Sequence, residues 1–348
     1  MRSFNFPAAF RVQFSTILCN FAANYNTMKK LSLILAAIAL LSISCQTKKV
    51  NKIEGTAFGT IYHIVYTGPE SATLKQQVDS VLADVNKTFS IFDTTSLISR
   101  INRGETDLGN DDLLRVLRAS LKVSEQTDGA FDCTIQPLIE LWGFGRQNQK
   151  QVVPQALIDS VLQFTGCQRV GIDQNRILKE DSRTQLNFNA IAKGFAVDKV
   201  GEFLETQKYN NFVVEIGGEV VTRGKKNGKP WKVGIQVPTQ TADDPVESNE
   251  TFTLENKAVA TSGDYRNFFE KDGLRYTHIL DPKTGKPEQT NLLSVSVITT
   301  NCAVADAYAT AFMVLGIEKA SEIVKKDPQL EAYFIYDNNG KYKVEHVK

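Results

Sequence analysis

Net charge and cysteine are both scarce in this chain, and each scarcity excludes something. Lysine and arginine number 40 against 39 aspartates and glutamates, a formal balance of +1, too little to draw a protein electrostatically onto a polyanion. With no basic stripe carrying interleaved aromatics, nucleic acid is not an expected partner. The five cysteines include no CxxC pair, so neither a metal knuckle nor a disulfide framework is indicated. Cys133, Cys167 and Cys302 read as small buried hydrophobes. Low-complexity tracts and repeats of solenoid period are also missing. What is present suits a globular protein able to bury a core: 42% hydrophobic and 23% charged residues. A length of 348 residues holds one large or two ordinary domains.

The front of the chain reads as an address. Met28-Lys29-Lys30 precedes an apolar run from Leu31, about a dozen residues long and short for a membrane span. It ends Leu41-Ser42-Ile43-Ser44-Cys45, which resembles a bacterial lipobox with Cys45 as the lipidated residue. A cleaved signal with an incidental cysteine fits the same residues. Residues 1–27 are expected to be an extension that is removed or never made, 28–45 a lipoprotein signal peptide, 46–52 a polar tether and 53–348 the folded domain. The expected location is the cell envelope, lipid-anchored to a bacterial membrane and facing the periplasm or exterior.

The stretch Ser294–Gly316 organises the rest. Its alternation of Val295, Val297 and Thr299 with Ser294, Ser296 and Ile298 predicts a half-buried strand. A helix rich in small residues follows (Ala303, Ala305, Ala307, Ala309, Ala311), which something can approach closely. Asp306 and Thr310 are four residues apart and so share a helical face. A carboxylate and a hydroxyl stacked there suit a hard cation such as Mg²⁺, which takes oxygen ligands; a buried helix with an Asp–Thr hydrogen bond fits as well.

Upstream, Ile53–Tyr66 reads as a strand interrupted at Phe58-Gly59-Thr60. Helices are predicted over 71–88, from Thr95, and from Asp111 to Thr127. Dense aromatics and glycines between Ala130 and Gly145 fit either a flat-ligand pocket or core. A helix over 154–164 and a hairpin over 170–178 follow. Asn187 to Gly194 is a junction into a helix from Phe195, where Lys193 and free N–H groups suit phosphate, or a cap with a solvated lysine. Phe212–Val221 reads as a strand broken by a glycine pair, Trp231–Val237 and Phe252–Ala260 as strands, and Thr261–Arg266 as a tight turn. A helix near 317–326 and two strands close the chain, giving an α+β fold of mixed, mostly antiparallel sheets packed with helices in a single large domain.

Several of these stretches together resemble a known family. Phe58-Gly59-Thr60, Phe89-Ser90, Ser99–Asn102, Asp128–Asp132, Leu141–Gly145 and Ala190–Gly194 are similar, in order, to blocks of the ApbE flavin transferases. So are Ile216-Gly217-Gly218, Ala260–Arg266, His278–Gly285 and Ala305–Ala311, and the resemblance covers essentially the whole mature chain. It implies a T-fold-like architecture and a Mg²⁺-dependent enzyme with FAD as substrate. Such an enzyme cleaves the FAD pyrophosphate, attaches FMN through a phosphoester to a Thr or Ser of a partner protein, and releases AMP. With an export signal, the implied acceptor is an exported, flavin-carrying membrane electron-transfer subunit.

Carried over by position, Ala190 (through its carbonyl), Asp306 and Thr310 are the implied metal ligands. Phe58, Phe92, Ala130, Phe131, Asp132, Asn187, Lys193 and Ile279 are the implied FAD contacts, and Asp306 and His278 the implied catalytic residues. Phe58 stands where the family commonly has Met, Asn187 where Asp is common, and Cys133 where Pro is frequent. An FAD pyrophosphatase giving free FMN and AMP, and a non-enzymatic FAD-binding lipoprotein, are the alternatives.

Overall fold

The computed structural model describes residues 49–145, 149–234, 251–263, 268–271, 274–288, 290–338 and 342–348. The signal stretch with Cys45, the extension before it, and Asp264–Arg266 of the expected turn lie outside the described residues.

Strands β1 (Val50–Ala57) and β2 (Thr60–Thr67) pair antiparallel around Phe58-Gly59. The interruption is therefore the turn of a hairpin. Phe58 and Gly59 have φ of 53° and 75°, the left-handed geometry of two-residue turns that match the strand twist. Helix α1 (Leu74–Phe89) buries Leu74, Val78, Leu82, Val85 and Phe89, one apolar stripe at helical spacing. Helix α2 (Leu97–Asn102) is capped by Ser96, and α3 (Asp111–Gln126) by Asn110, whose side chain accepts from the Leu113 N–H. Helix α3 ends before Asp128 and Gly129, both at positive φ. Helices α4 (Gln136–Leu141) and α5 (Gln155–Leu162) lead to the hairpin β3 (Val170–Asp173) and β4 (Arg176–Lys179). Helix α6 (Ala192–Thr206) starts at Ala192 rather than Phe195, so Lys193 and Gly194 belong to its first turn.

The expected strand over 212–221 is also a hairpin, β5 (Phe212–Ile216) and β6 (Glu219–Arg223) around Gly217-Gly218. Strand β7 (Trp231–Gly234) pairs with β8 (Thr251–Leu254), and β9 (Ala258–Gly263) is separate from β8. Thr261–Gly263 do not turn; they continue β9 because β12 offers them partners, Thr261 opposite Ser296 and Gly263 opposite Ser294. After the small pair β10 (Phe268–Lys271) and β11 (Leu274–Thr277) come β12 (Leu292–Thr299) and α7 (Cys302–Lys326). Gly316, at φ 74°, breaks α7 where a second helix was expected to begin. Strands β13 (Glu331–Asp337) and β14 (Tyr342–Val347) finish the chain.

Eight strands make one antiparallel sheet in the order β1-β2-β5-β6-β9-β12-β13-β14. Helices α6 and α7 lie against its centre, α6 on β5 and β6, α7 on β9 and β12. Strand β12 is not half-buried, for two layers cover it. Val295 and Val297 join the helix-side core, while Ile298 packs with Val220, Leu254 and Val259 under the β7–β8 pair. Its hydroxyl face is buried too, and Ser296 meets Thr261 there with oxygens 2.7 Å apart.

Candidate active site

The small residues at the start of α7 receive α6. A Cβ built on Gly194 would lie 2.3 Å from the Cys302 carbonyl oxygen, so only glycine lets the two helix starts touch. They then cap one another. Asp198 of α6 accepts the Cys302 and Ala303 N–H groups of α7, each at 2.9 Å. Asp306 of α7 accepts the Gly194 N–H of α6 at 3.0 Å. Each carboxylate meets the positive end of the neighbouring helix, where an anion is favoured. Burial pushes Asp198 up to about 6 in spite of its two N–H donors. Asp306 is also raised by burial, against the pull of Lys193 and the Gly194 N–H.

Lys193 is not a solvated cap. Its ammonium meets Glu219, whose side chain is 1% exposed against 36% for the lysine. Burial works against the lysine's charge, but Glu219 and Asp306 outweigh it and hold its pKa above the ordinary value. Burial raises the Glu219 carboxyl, which Lys193 opposes and Asp306 reinforces. Glu219 Oε2 is buried without a hydrogen-bond partner among the described residues. A lysine, two carboxylates and two helix N-termini thus meet at one point, with uncommitted polar capacity left over.

Thr310 shares a face with Asp306, as the spacing predicts, but each turns to another element: Thr310 Oγ1 is 3.0 Å from Ser262 Oγ on β9, and Asp306 turns to α6. Ala190 is half-buried in the turn that enters α6. Among the described residues no cluster of three His, Cys, Asp or Glu side chains could hold a metal. The donor set that the resemblance implies is one buried carboxylate (Asp306), one hydroxyl (Thr310) and the Ala190 backbone carbonyl. That all-oxygen chemistry fits Mg²⁺, which completes its shell with water and substrate oxygens.

The implied flavin contacts divide by burial. Ala130, Phe131 and Ile279 are core residues, 5%, 2% and 7% exposed. Phe58 lines a surface cavity with Lys75 and Asp79, and Phe92 is 65% exposed, open to a flat partner. Asn187 is pinned on both sides of its amide: Nδ2 donates to Gln136 and Oδ1 accepts the Asn189 N–H. Asp132 accepts from Thr134 and from Cys167, and burial still raises its carboxyl above the usual range. It lines a cavity of about 650 Å³ shared with Asp128, Gly129, Cys167, Pro282 and Lys283. Lys283 pairs with Asp128 across it. His278 is half-buried beside Ile279. Trp142, from the aromatic-glycine stretch, is core; its Nε1 donates to the Gly285 carbonyl at 2.8 Å.

A family model for ApbE matches residues 58–334. The chain belongs to the ApbE family. A similar protein from Haemophilus influenzae, named FAD:protein FMN transferase, is 35% identical over 333 residues, spanning 90% of this chain and 95% of that one. One of the same name from Vibrio cholerae is 34% identical over 300 residues, spanning 84% and 89%. Among solved structures, the flavin transferase ApbE of Vibrio cholerae matches with a TM-score of 0.77 at 32% identity, covering 86% of this chain and 98% of that one. The apo flavinyl transferase ApbE of Pseudomonas stutzeri matches with a TM-score of 0.77 at 34% identity, covering 88% and 96%. The expected ApbE architecture, antiparallel strands packed with helices, is the one found.

Four residues of the site in this ApbE chain, Gly194, Asp198, Glu219 and Ser262, are not among those expected from the sequence. Two carried a signal: Glu219 heads an apolar strand, and Asp198 lies among Ala196, Val197 and Val200 on a buried helix face. Asp198 gives a pH-dependent test. Its folded value of about 6 exceeds the ordinary 3.8, so the folded state holds the proton more firmly than the unfolded one. The stability this contributes is complete below the unfolded value and is lost as pH rises through the folded one. Asp198→Asn keeps an acceptor for α7 and removes the titration. Between about pH 4 and pH 7 the wild type is expected to lose up to about 3 kcal/mol relative to that variant, read as the difference in denaturant unfolding free energy at each pH.

Proposed function

We propose that this chain is a Mg²⁺-dependent FAD:protein FMN transferase that attaches FMN to a Thr or Ser of an exported acceptor and releases AMP. The observation that carries the reading is the convergence of the α6 and α7 N-termini beside Lys193 and Asp306, in a chain whose similar relatives bear that name. Lys193 supplies a cation suited to a pyrophosphate, while the Gly194, Cys302 and Ala303 N–H groups at the helix starts are held by Asp306 and Asp198. Asp306, Thr310 and the Ala190 carbonyl would hold Mg²⁺, which when bound neutralises charge on the phosphates.

Around that point the remaining groups position and polarise, which is most of what phosphoryl transfer asks of a protein. The acceptor hydroxyl oxygen forms a bond to the FMN phosphorus. The bond from that phosphorus to the bridging oxygen breaks, and AMP leaves with the oxygen. The hydroxyl proton passes to a base; the family resemblance puts His278 in a block of the reaction centre without assigning it that role. Lys193, held protonated by Glu219, stays a cation throughout and steadies the charge on the leaving side. Phe58 and Phe92 offer faces for the isoalloxazine. The acceptor fitting an exported enzyme is a membrane electron-transfer subunit, with the enzyme itself anchored in the cell envelope through Cys45.

The test separates transfer from hydrolysis. Purified protein is given FAD and Mg²⁺ with and without an exported acceptor domain bearing the target Thr, and AMP is followed by chromatography. AMP only when the acceptor is present supports transfer. AMP at equal rates without it makes the chain a pyrophosphatase.

A further inference from the structure

Cys133 and Cys167 are 34 residues apart in sequence, yet their sulfurs are 3.5 Å from each other. The contact joins the loop between α3 and α4 to the turn before β3, and further bonds fix both backbones around it. The Cys133 N–H donates to Cys167 Sγ at 3.3 Å. The Cys167 N–H donates to Asp132 Oδ2 at 3.1 Å, and the Gly166 N–H to Thr134 Oγ1 at 2.6 Å. A disulfide needs its sulfurs about 2 Å apart, so closing this pair asks the two sulfurs, now 3.5 Å apart, to approach by about 1.5 Å.

We propose that Cys133 and Cys167 form a redox modification site, closing to a reversible intramolecular disulfide by exchange with a protein or low-molecular-weight disulfide. Cys167 is the entry point, because it lines the 650 Å³ cavity while Cys133 is fully buried. The Cys167 thiol already donates to Asp132 Oδ1 at 3.3 Å, a carboxylate placed to take its proton. The Cys167 sulfur attacks the external disulfide, giving a mixed disulfide and one free thiol. The Cys133 sulfur then attacks Cys167 Sγ and expels the second thiol. Two cysteine thiols are oxidised, one external disulfide is reduced to two thiols, and both cysteine protons end on the released thiols. The bond would staple the Asp132–Thr134 loop to the 165–168 turn and remove one of the donors on Asp132. Cys302 is buried against Val259 and Asp198 in another part of the core and takes no part.

The experiment uses the full chain, purified reduced and then incubated folded with oxidised glutathione. After rapid alkylation, intact mass and peptide maps are recorded. The expected result is a loss of about 2 Da, a linked peptide pair carrying Cys133 and Cys167, and reversal by dithiothreitol. The melting temperature rises by about 5 °C, the effect of closing a loop of this length. Cys302→Ala oxidises like the wild type. A stable glutathione adduct on Cys167 with no closure overturns the proposal, as does linkage of either residue to another cysteine or resistance of both thiols under a strongly oxidising buffer. These outcomes are read from mass alone, so they stand or fall independently of whether FMN is transferred.

Discussion

Asp306→Asn is expected to lower FMN transfer at least about 100-fold while leaving the fold nearly unchanged. An asparagine keeps the size of the side chain and an oxygen for the Gly194 N–H, so the α6 start retains its cap. What it removes is the buried anion, and with it the carboxylate of the proposed Mg²⁺ donor set. A buried charge is costly even when partly compensated, and Asp306 is held above its ordinary pKa by that burial; loss of the charge therefore does not by itself weaken the fold. Initial rates of FMN incorporation and a thermal melt on the same sample separate the two effects. A variant within tenfold of wild-type activity would remove Asp306 from the reaction centre.

Gly194→Ala is expected to cost about 3 kcal/mol or more, although helix propensity alone favours the change by about 1 kcal/mol. Packing wins because the new Cβ would meet backbone, not a side chain: the Cys302 carbonyl oxygen at 2.3 Å, its carbon at 2.7 Å and Ala303 Cα at 2.8 Å. Nothing there can rotate aside, so α6 and α7 must separate. Separation breaks both reciprocal caps and displaces Lys193 from Asp306, so activity falls with stability. Gly201→Ala, on the same helix, is the control. Its Cβ would meet a Val221 methyl at 3.3 Å and a Phe212 ring carbon at 3.5 Å, contacts that side chains can relax, and its cost stays within about 1 kcal/mol. Denaturant unfolding of the two variants measures the difference, and equal losses would show that the helix contact does not govern the site.

What was legible in the sequence was local. The stripe of α1, the hydroxyl cap of α2 and the shared face of Asp306 and Thr310 follow from local residue types and spacings of three and four residues, and the helices form where those fall. Turns were harder. Phe58 occupies a left-handed position usually given to Asn or Gly, so the β1–β2 hairpin looked like an interrupted strand. Strand β12 looked half-buried because its serines alternate with valines, and the layer that buries those serines includes β8, far away in the chain. The partnerships that make the site were out of reach for the same reason. Asp198 reaches 104 residues to Cys302, and Gly194 reaches 112 residues to Asp306. Cysteine spacing gave no hint that Cys133 and Cys167 touch, since only the folded loops bring them together. The family resemblance selected Asp306, Thr310 and Lys193, but not the Glu219 that holds Lys193 in place.

FMN is proposed to move from FAD to a protein hydroxyl at the junction of α6 and α7. The most direct measurement is the intact mass of an exported, Thr-bearing acceptor after incubation with this protein, FAD and Mg²⁺, with EDTA and Asp306→Asn as parallel samples. An acceptor heavier by one FMN, matched by AMP and lost in both parallel samples, is the predicted result. An acceptor that gains FMN equally with the Asp306→Asn protein would contradict the account, as would AMP release with the acceptor mass unchanged.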